Sequence, residues 1–267
     1  MYPDQFRVSI IISSYNQRAY LSEALESVMG QTLRPYEIII ADDASSDGSQ
    51  VMIRAYSEKY PDWVKYGFQP SNSGIPKNRN AALRRVRGNY VGILDGDDLF
   101  VTDKLEKQFE ALCRVPNAEV VYSNFHRVQQ DGKTLLNKRY ASPQPEGNIL
   151  AEVARFNTGI LRTLVADYRA VQAAGFMEER YPKFDGLWLA IKLAACCRFA
   201  YVHEPLVLKR EHSTSDSRAN SAQDLLHDLS GIHEAMKPYC SALDATVIKD
   251  LDEYWKTLLA SLAGNRA

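Results

Sequence analysis

Three short apolar runs in the first half of the chain each end abruptly in a polar cluster, and this pattern limits the possible folds more than any other feature. Val8 to Ile12 runs into Ser13 to Asn16, Ile38 to Ala41 into Asp42 to Ser49, and Tyr90 to Leu94 into Asp95 to Asp98. Short, nearly continuous runs rich in β-branched residues suit strands buried on both faces. Between them Leu21, Leu25 and Val28 recur at helical spacing. One helical stretch spans about Ser49 to Tyr60 and stops at Pro61, and another spans about Pro76 to Val86 and closes at Gly88. Val64 to Phe68 supplies a further strand. The alternation predicts an α/β fold, a mostly parallel central sheet with helices on its faces. Ligands of such sheets bind beyond the carboxyl ends of the strands, near a switch in strand order, so the three polar clusters should meet on one rim.

The second half changes character. A helix is expected at about Asp103 to Cys113, a strand at Glu119 to Ser123, a hairpin turn at Asp131-Gly132 and a loop over 141–148. An apolar segment, Gly159 to Val165, precedes helices near Arg169 to Ala174 and Leu187 to Cys196, then a strand at Leu206 to Lys209. From about Ala222 the chain reads as helical, with Leu243, Val247, Leu251, Leu258 and Leu262 on one face of a terminal helix. Trp188 and Trp255 read as core residues.

Composition narrows the function. A formal net charge of −1 offers no bulk electrostatic grip on nucleic acid, so no nucleic-acid partner is expected. No apolar stretch approaches the roughly 20 residues that span a bilayer, and Pro3 and Asp4 argue against a signal peptide. Cys196 and Cys197 read as buried free thiols, which favours a reducing, cytoplasmic setting with any membrane contact peripheral.

If the strand ends share a rim, Asp42, Asp43, Asp47, Asp95, Asp97 and Asp98 crowd together. Their repulsion must be relieved by a cation or by donor hydrogens. Hard oxygen ligands favour Mg²⁺ or Mn²⁺ over zinc. The plain alternative is that these aspartates serve turns and helix caps, as Asp47-Gly48 and Asp103 partly should.

The segments VSIIISSYN, IIIADDASSDGS, NSGIPKNRNAA and GNYVGILDGDD, in this order, resemble the inverting family 2 glycosyltransferases of GT-A fold. The likeness covers about residues 7 to 125 and, more loosely, 160 to 215. It implies a GT-A domain over 1–220, with a nucleotide-binding part to about 125 and an acceptor-binding part beyond it, followed by a helical extension over 221–267. It also implies a UDP-sugar donor, a saccharide or lipid-linked saccharide acceptor, inversion at the transferred sugar, and Mn²⁺ or Mg²⁺ as cofactor, in surface polysaccharide or glycoconjugate synthesis.

Carried over by position, Ser13 and Tyr15 match uridine-contacting residues, and Asp43 matches the carboxylate that accepts from the uracil N–H. Arg79 should approach the pyrophosphate or base. Asp95 and Asp97 should face the ribose and the metal, and Asp98 should bind the metal. The acceptor hydroxyl must lose its proton, which needs a general base. The family draws that base from a Glu-Asp pair before an L-W-L helix. Here YPKFDGLWLAIKL retains only Asp185, which could instead be a helix N-cap, with Glu178 and Glu179 in reserve. KREHSTSDSR resembles the family's R-x-H segment, which assigns His212 to the metal or diphosphate and Arg210 to the phosphates. His126, His203, His227 and His233 have no such context.

Two other functions compete. A nucleotidyltransferase is disfavoured because no basic, glycine-rich loop follows the first strand. A non-catalytic nucleotide-sugar-binding module finds support only in the incomplete Glu-Asp motif. The polar face of the last helix mixes Asp250, Asp252 and Glu253 with Lys249 and Lys256, which suits a protein contact or a peripheral one at the inner membrane face better than insertion.

Overall fold

The computed structural model describes residues 5–155, 160–213 and 222–264. The first half holds β1 (Val8–Ser14), α1 (Leu21–Met29), β2 (Glu37–Asp42), α2 (Ser49–Lys59), β3 (Val64–Phe68), α3 (Ile75–Leu83) and β4 (Tyr90–Asp95). There follow β5 (Leu99–Phe100), α4 (Lys104–Arg114), β6 (Ala118–Val128), β7 (Leu135–Lys138), α5 (Leu150–Ala154), α6 (Ile160–Thr163), β8 (Val165–Asp167) and α7 (Tyr168–Ala173). The chain continues through α8 (Asp185–Ala194), β9 (Arg198–Arg210), α9 (Ala222–Cys240) and α10 (Ala245–Gly264).

The strands form one sheet in the order β3-β2-β1-β4-β8-β6-β9-β5, with β7 paired to β6. It is parallel from β3 to β4, as the sequence predicts. Beyond β4 it becomes mixed, because the short β8 inserts antiparallel between β4 and β6. Strand order reverses at β1, where β2 leaves on one side and β4 returns on the other. That is the switch point at which ligand sites form.

Alternation along the buried strands divides the core in two. Ile10 and Ile12 of β1, with Ile38 and Ile40 of β2, pack on Leu21, Leu25 and Val28 of α1 and Leu105 of α4. Ile11 and Ile39 face the other way, onto Leu83 of α3 and Trp188 and Ile191 of α8. Each such side chain contributes roughly 1.5–3 kcal/mol by leaving water, so both faces anchor the strands whose ends carry the polar clusters. Gly88 closes the α3-to-β4 connection where a Cβ would stand 2.3 Å from the Arg7 carbonyl oxygen. No larger residue fits there without moving backbone.

The C-terminal helices lie on the α8 side of the sheet. Leu229, Ile232 and Met236 of α9 and Leu251 and Trp255 of α10 join the α8 core, and Trp255 donates its indole N–H to the Ala154 carbonyl at 2.7 Å. Leu243, Val247, Leu258 and Leu262 pack against it while partly buried. No described helix is long and apolar enough to cross a membrane.

Several expectations need correction. Cys196 is exposed, because α8 ends at Ala194 and the chain turns outward before β9; only Cys197 of the pair is buried. The strand expected at Leu206 to Lys209 is the end of a 13-residue strand that begins at Arg198. Asp103 stands at the N-cap of α4, but its side chain makes no cap and pairs with Lys107 at 2.9 Å. Gly159, Pro3 and Asp4, and the end of the KREHSTSDSR segment lie outside the described residues.

Candidate active site

The register of the parallel strands builds the site's floor. Ser13 stands opposite Asp95 on the neighbouring strand, and Ser14 opposite Asp42. The loops after β1 and β2 are tied together: the Asn16 N–H donates to Ser45 Oγ at 2.8 Å, and the Ser46 N–H to Asn16 Oδ1 at 2.9 Å. Asn16 adopts φ 51°, a left-handed turn for which asparagine is suited. Tyr15 projects into solvent, 46% exposed.

The six aspartates do not form one crowd. Asp42 accepts from the Ser45 N–H at 3.0 Å and from Gln50 Nε2 at 2.9 Å. Asp43 accepts from the Ser73 N–H, the Ser73 hydroxyl and the Gly74 N–H, each at 2.8 Å. Asp47 accepts from the Arg18 N–H at 2.8 Å and the Ser49 N–H at 3.0 Å. For Asp47, burial pushes the carboxyl upward, but the Ser49 and Arg18 bonds outweigh it and leave the group below its ordinary value. Local donors thus satisfy these three, and no cation is needed to hold them. Asp95, Asp97 and Asp98 form the real cluster, each offering an oxygen within 4.8 Å of the others.

Cations from distant parts of the chain meet that cluster. Asp95 Oδ1 accepts from Ser13 Oγ at 3.1 Å and from Arg79 Nη2 at 2.5 Å. The other arm of Arg79 reaches Asp185 Oδ2 at 2.9 Å. Arg162 Nη1 sits 3.1 Å from Asp95 Oδ2 and also bonds Asp98 Oδ2. The Arg210 N–H donates to Asp98 Oδ1 at 2.9 Å, and His212 Nε2 lies 2.8 Å from Asp97 Oδ2.

Burial and charge divide the carboxylates. Burial raises Asp95, but the Arg79 and Arg162 guanidiniums overcome it and hold the group near 2. Burial pushes Asp98 up to about 7; Arg162 pulls against this, while Asp97 and Asp95 add to it. Asp185 is also raised by burial, against the pull of Arg79. A carboxylate that holds its proton more readily than usual suits a group that must accept one.

Other expected residues fall differently. Asp185 is the first residue of α8, behind an N-cap at Phe184, and its carboxylate faces Arg79. The side chain of Arg210 is buried and turned away from the cluster, donating to the Asp97 and Gln130 carbonyls and to Glu23. It braces the turn rather than facing a phosphate. Glu178 is paired with Arg180 at 2.8 Å, and Glu179 accepts from Asn80 at 3.1 Å. Sequence reasoning missed Arg162 altogether. Its signal was a lone cation inside the apolar run Gly159 to Val165.

The donor set fits a hard divalent ion, since the clustered oxygens are carboxylates and no thiol is among them. His212, beside Asp97, can orient that carboxylate or add a nitrogen.

The mixed α/β sheet with a carboxylate cluster at its switch point agrees with the GT-A fold that the resemblance implies. The Glycosyl transferase family 2 profile matches residues 9–175, more than half the chain, and the chain belongs to that family. A relative named "Putative teichuronic acid biosynthesis glycosyltransferase TuaG", from Bacillus subtilis (strain 168), is 37% identical over 137 residues, 51% of this chain and 53% of that protein. "Putative glycosyltransferase EpsE" of the same strain is 30% identical over 166 residues, 62% of this chain and 59% of that protein. The chain therefore spans little more than half the length of these relatives.

Among solved structures, S. aureus TarS 1-349 in complex with UDP-GlcNAc superposes with TM-score 0.70 at 19% identity, over 85% of this chain and 65% of that one. The mannosyltransferase PcManGT from Pyrobaculum calidifontis, in complex with GDP-Man and Mn²⁺, gives TM-score 0.62 at 18% identity, over 97% and 80%. Both share the fold.

Proposed function

We propose that the chain is a metal-dependent, inverting glycosyltransferase that moves a sugar from a UDP-sugar to an acceptor hydroxyl in the assembly of a surface polysaccharide. One observation carries this reading. A carboxylate cluster that fits a divalent cation lies at the switch point, joined through Arg79 to a second buried carboxylate, Asp185. Family membership and a relative named for teichuronic acid biosynthesis support the reaction and its setting.

In this reading Asp98, Asp97 and His212 hold Mn²⁺ or Mg²⁺, which when bound neutralises the leaving diphosphate as a Lewis acid. Asp95 lies on the ribose side, held by Ser13 and Arg79. Ser13 and Tyr15 contact the uridine. Asp43 uses three of its roughly four lone-pair sites on the Ser73-Gly74 turn, leaving one for the uracil N–H. Arg79 serves the donor side by fixing Asp95 while it orients Asp185.

Asp185 takes the acceptor proton. A direct displacement with inversion needs one base on the acceptor side and no second group to carry the sugar. The acceptor is a saccharide or lipid-linked saccharide. The chain works at the cytoplasmic face, with α9 and α10 as its surface for a membrane-peripheral or protein partner.

Donor choice tests the proposal, since a fold neighbour was solved with GDP-Man. Calorimetry with the common nucleoside diphosphates and Mn²⁺ should show UDP bound at least ~10-fold tighter than GDP, about 1.4 kcal/mol. Equal affinities would remove the uracil assignment of Asp43 and Tyr15. Slow hydrolysis screened across UDP-sugars then identifies the sugar without needing an acceptor.

A further inference from the structure

Arg162 stands on α6, a single helical turn whose last residue is firmly held. The Thr163 carbonyl accepts from Gln108 Nε2 at 2.8 Å and from Lys104 Nζ at 3.1 Å. The Thr163 hydroxyl accepts from the Ser123 N–H at 3.2 Å. Lys104, Gln108, Ser123 and Thr163 are all fully buried. Breaking these bonds would strand polar groups away from water, so the backbone beside Arg162 has little freedom.

The Arg162 side chain is different. It is 27% exposed, whereas that of Arg79 is 8% exposed and clamped at both ends. Its Nη1 touches the Oδ2 atoms of both Asp95 and Asp98. The remaining oxygens are already engaged: Asp98 Oδ1 by the Arg210 N–H, and Asp95 Oδ1 by Arg79 and Ser13. One guanidinium therefore stands on an oxygen of Asp98, a metal ligand in the reading above, and on an oxygen of its neighbour Asp95.

We infer that Arg162 is a built-in counter-cation that keeps a lone divalent ion out of the Asp95-Asp97-Asp98 cluster, so that metal enters together with the donor diphosphate. The inference rests on the metal-site reading above. A guanidinium cannot shed its charge at neutral pH. A lone cation held by Asp98 would lie close to it, and the two would repel at short range. A diphosphate supplies the negative charge that lets both cations remain, with the partly exposed Arg162 side chain swinging aside. Metal and nucleotide must then strengthen one another's binding by the same factor.

The test measures Mn²⁺ binding by electron paramagnetic resonance, with and without UDP, in wild type, Arg162→Gln and Arg162→Lys. Wild type should bind Mn²⁺ weakly alone and at least ~10-fold more tightly with UDP. Arg162→Gln should bind lone Mn²⁺ at least ~10-fold more tightly than wild type and lose most of the coupling to UDP. Arg162→Lys, which keeps the charge, should behave like wild type. Lone-ion affinity no higher in Arg162→Gln than in wild type, with matching thermal unfolding, overturns the inference. Absence of coupling in wild type overturns it whatever the variants do. Absence of Mn²⁺ binding by wild type even with UDP overturns the metal-site reading instead.

Discussion

The two walls of the site are held in place by different forces. Ser13, Asp95, Asp97 and Asp98 grow from the ends of β1 and β4, and the paired backbones set Ser13 against Asp95. Arg79, Arg162, Asp185 and His212 come from α3, α6, α8 and the segment after β9, and reach the first wall through side chains. Arg162 and Asp98 are 64 residues apart, and Arg79 and Asp185 are 106. A wall held by backbone pairing keeps its shape when a side chain changes. A wall held by buried ion pairs does not, because each lost partner leaves a charge uncompensated.

The largest expected effect is on the side-chain wall. Asp185→Asn keeps shape and a bond to Arg79 but cannot take a proton, so turnover with the true acceptor should fall by roughly 10²–10⁴. UDP affinity, measured by calorimetry, should barely change. Normal turnover would leave the two walls without a division between base and donor site. It would also move attention to Glu178 or Glu179, although Arg180 and Asn80 already hold these.

Next comes the strand-end wall. Asp98→Asn retains an acceptor for the Arg210 N–H and leaves Arg162 paired with Asp95, so the protein should stay folded. Its kcat/KM should nevertheless drop by on the order of 10²–10³, and it should need more Mn²⁺. Circular dichroism beside a metal titration checks both. Wild-type rates with an unchanged metal requirement would remove Asp98 from the metal site.

The smallest effect sharpens the comparison through the support beneath Arg162. Lys104 is fully buried on the Thr163 carbonyl, and burial lowers its ammonium to about 7. Because the folded value is depressed, the native state binds fewer protons than the unfolded chain between about pH 7 and the ordinary lysine range. Wild-type stability should therefore rise with pH through that window and be lost as pH falls through about 7. Lys104→Met removes the slope, so its stability relative to wild type should improve toward low pH by up to ~1.4 kcal/mol per unit. Urea midpoints at pH 6, 7.5 and 9 measure this. A constant difference would mean that Gln108 and the Thr163 carbonyl keep the ammonium charged.

Much of the first wall was readable in the residues themselves. A strand buried on both faces must be a continuous apolar run, so β1, β2 and β4 declare themselves, and their polar ends mark the rim. Periodicity likewise foretold α1, and Trp188 and Trp255 are buried as core residues should be. It could not foretell β8, three residues inserted antiparallel into the sheet, because so short a segment has no period of its own.

Nor could it say which aspartates would share the rim. Asp42, Asp43 and Asp47 read much like Asp95, Asp97 and Asp98, yet donors in their own loops satisfy them. Among the described residues, only the second set gathers cations from afar. Arg162 is a lone charge in an apolar run, and only the docking of α6 beside β4 brings it to its partners. Side-chain spacing determined by itself where strands end and which face is buried, because both follow from local geometry. Which charge meets which was decided by strand order and helix packing, because an ion pair across many tens of residues exists only once the sheet has closed around it.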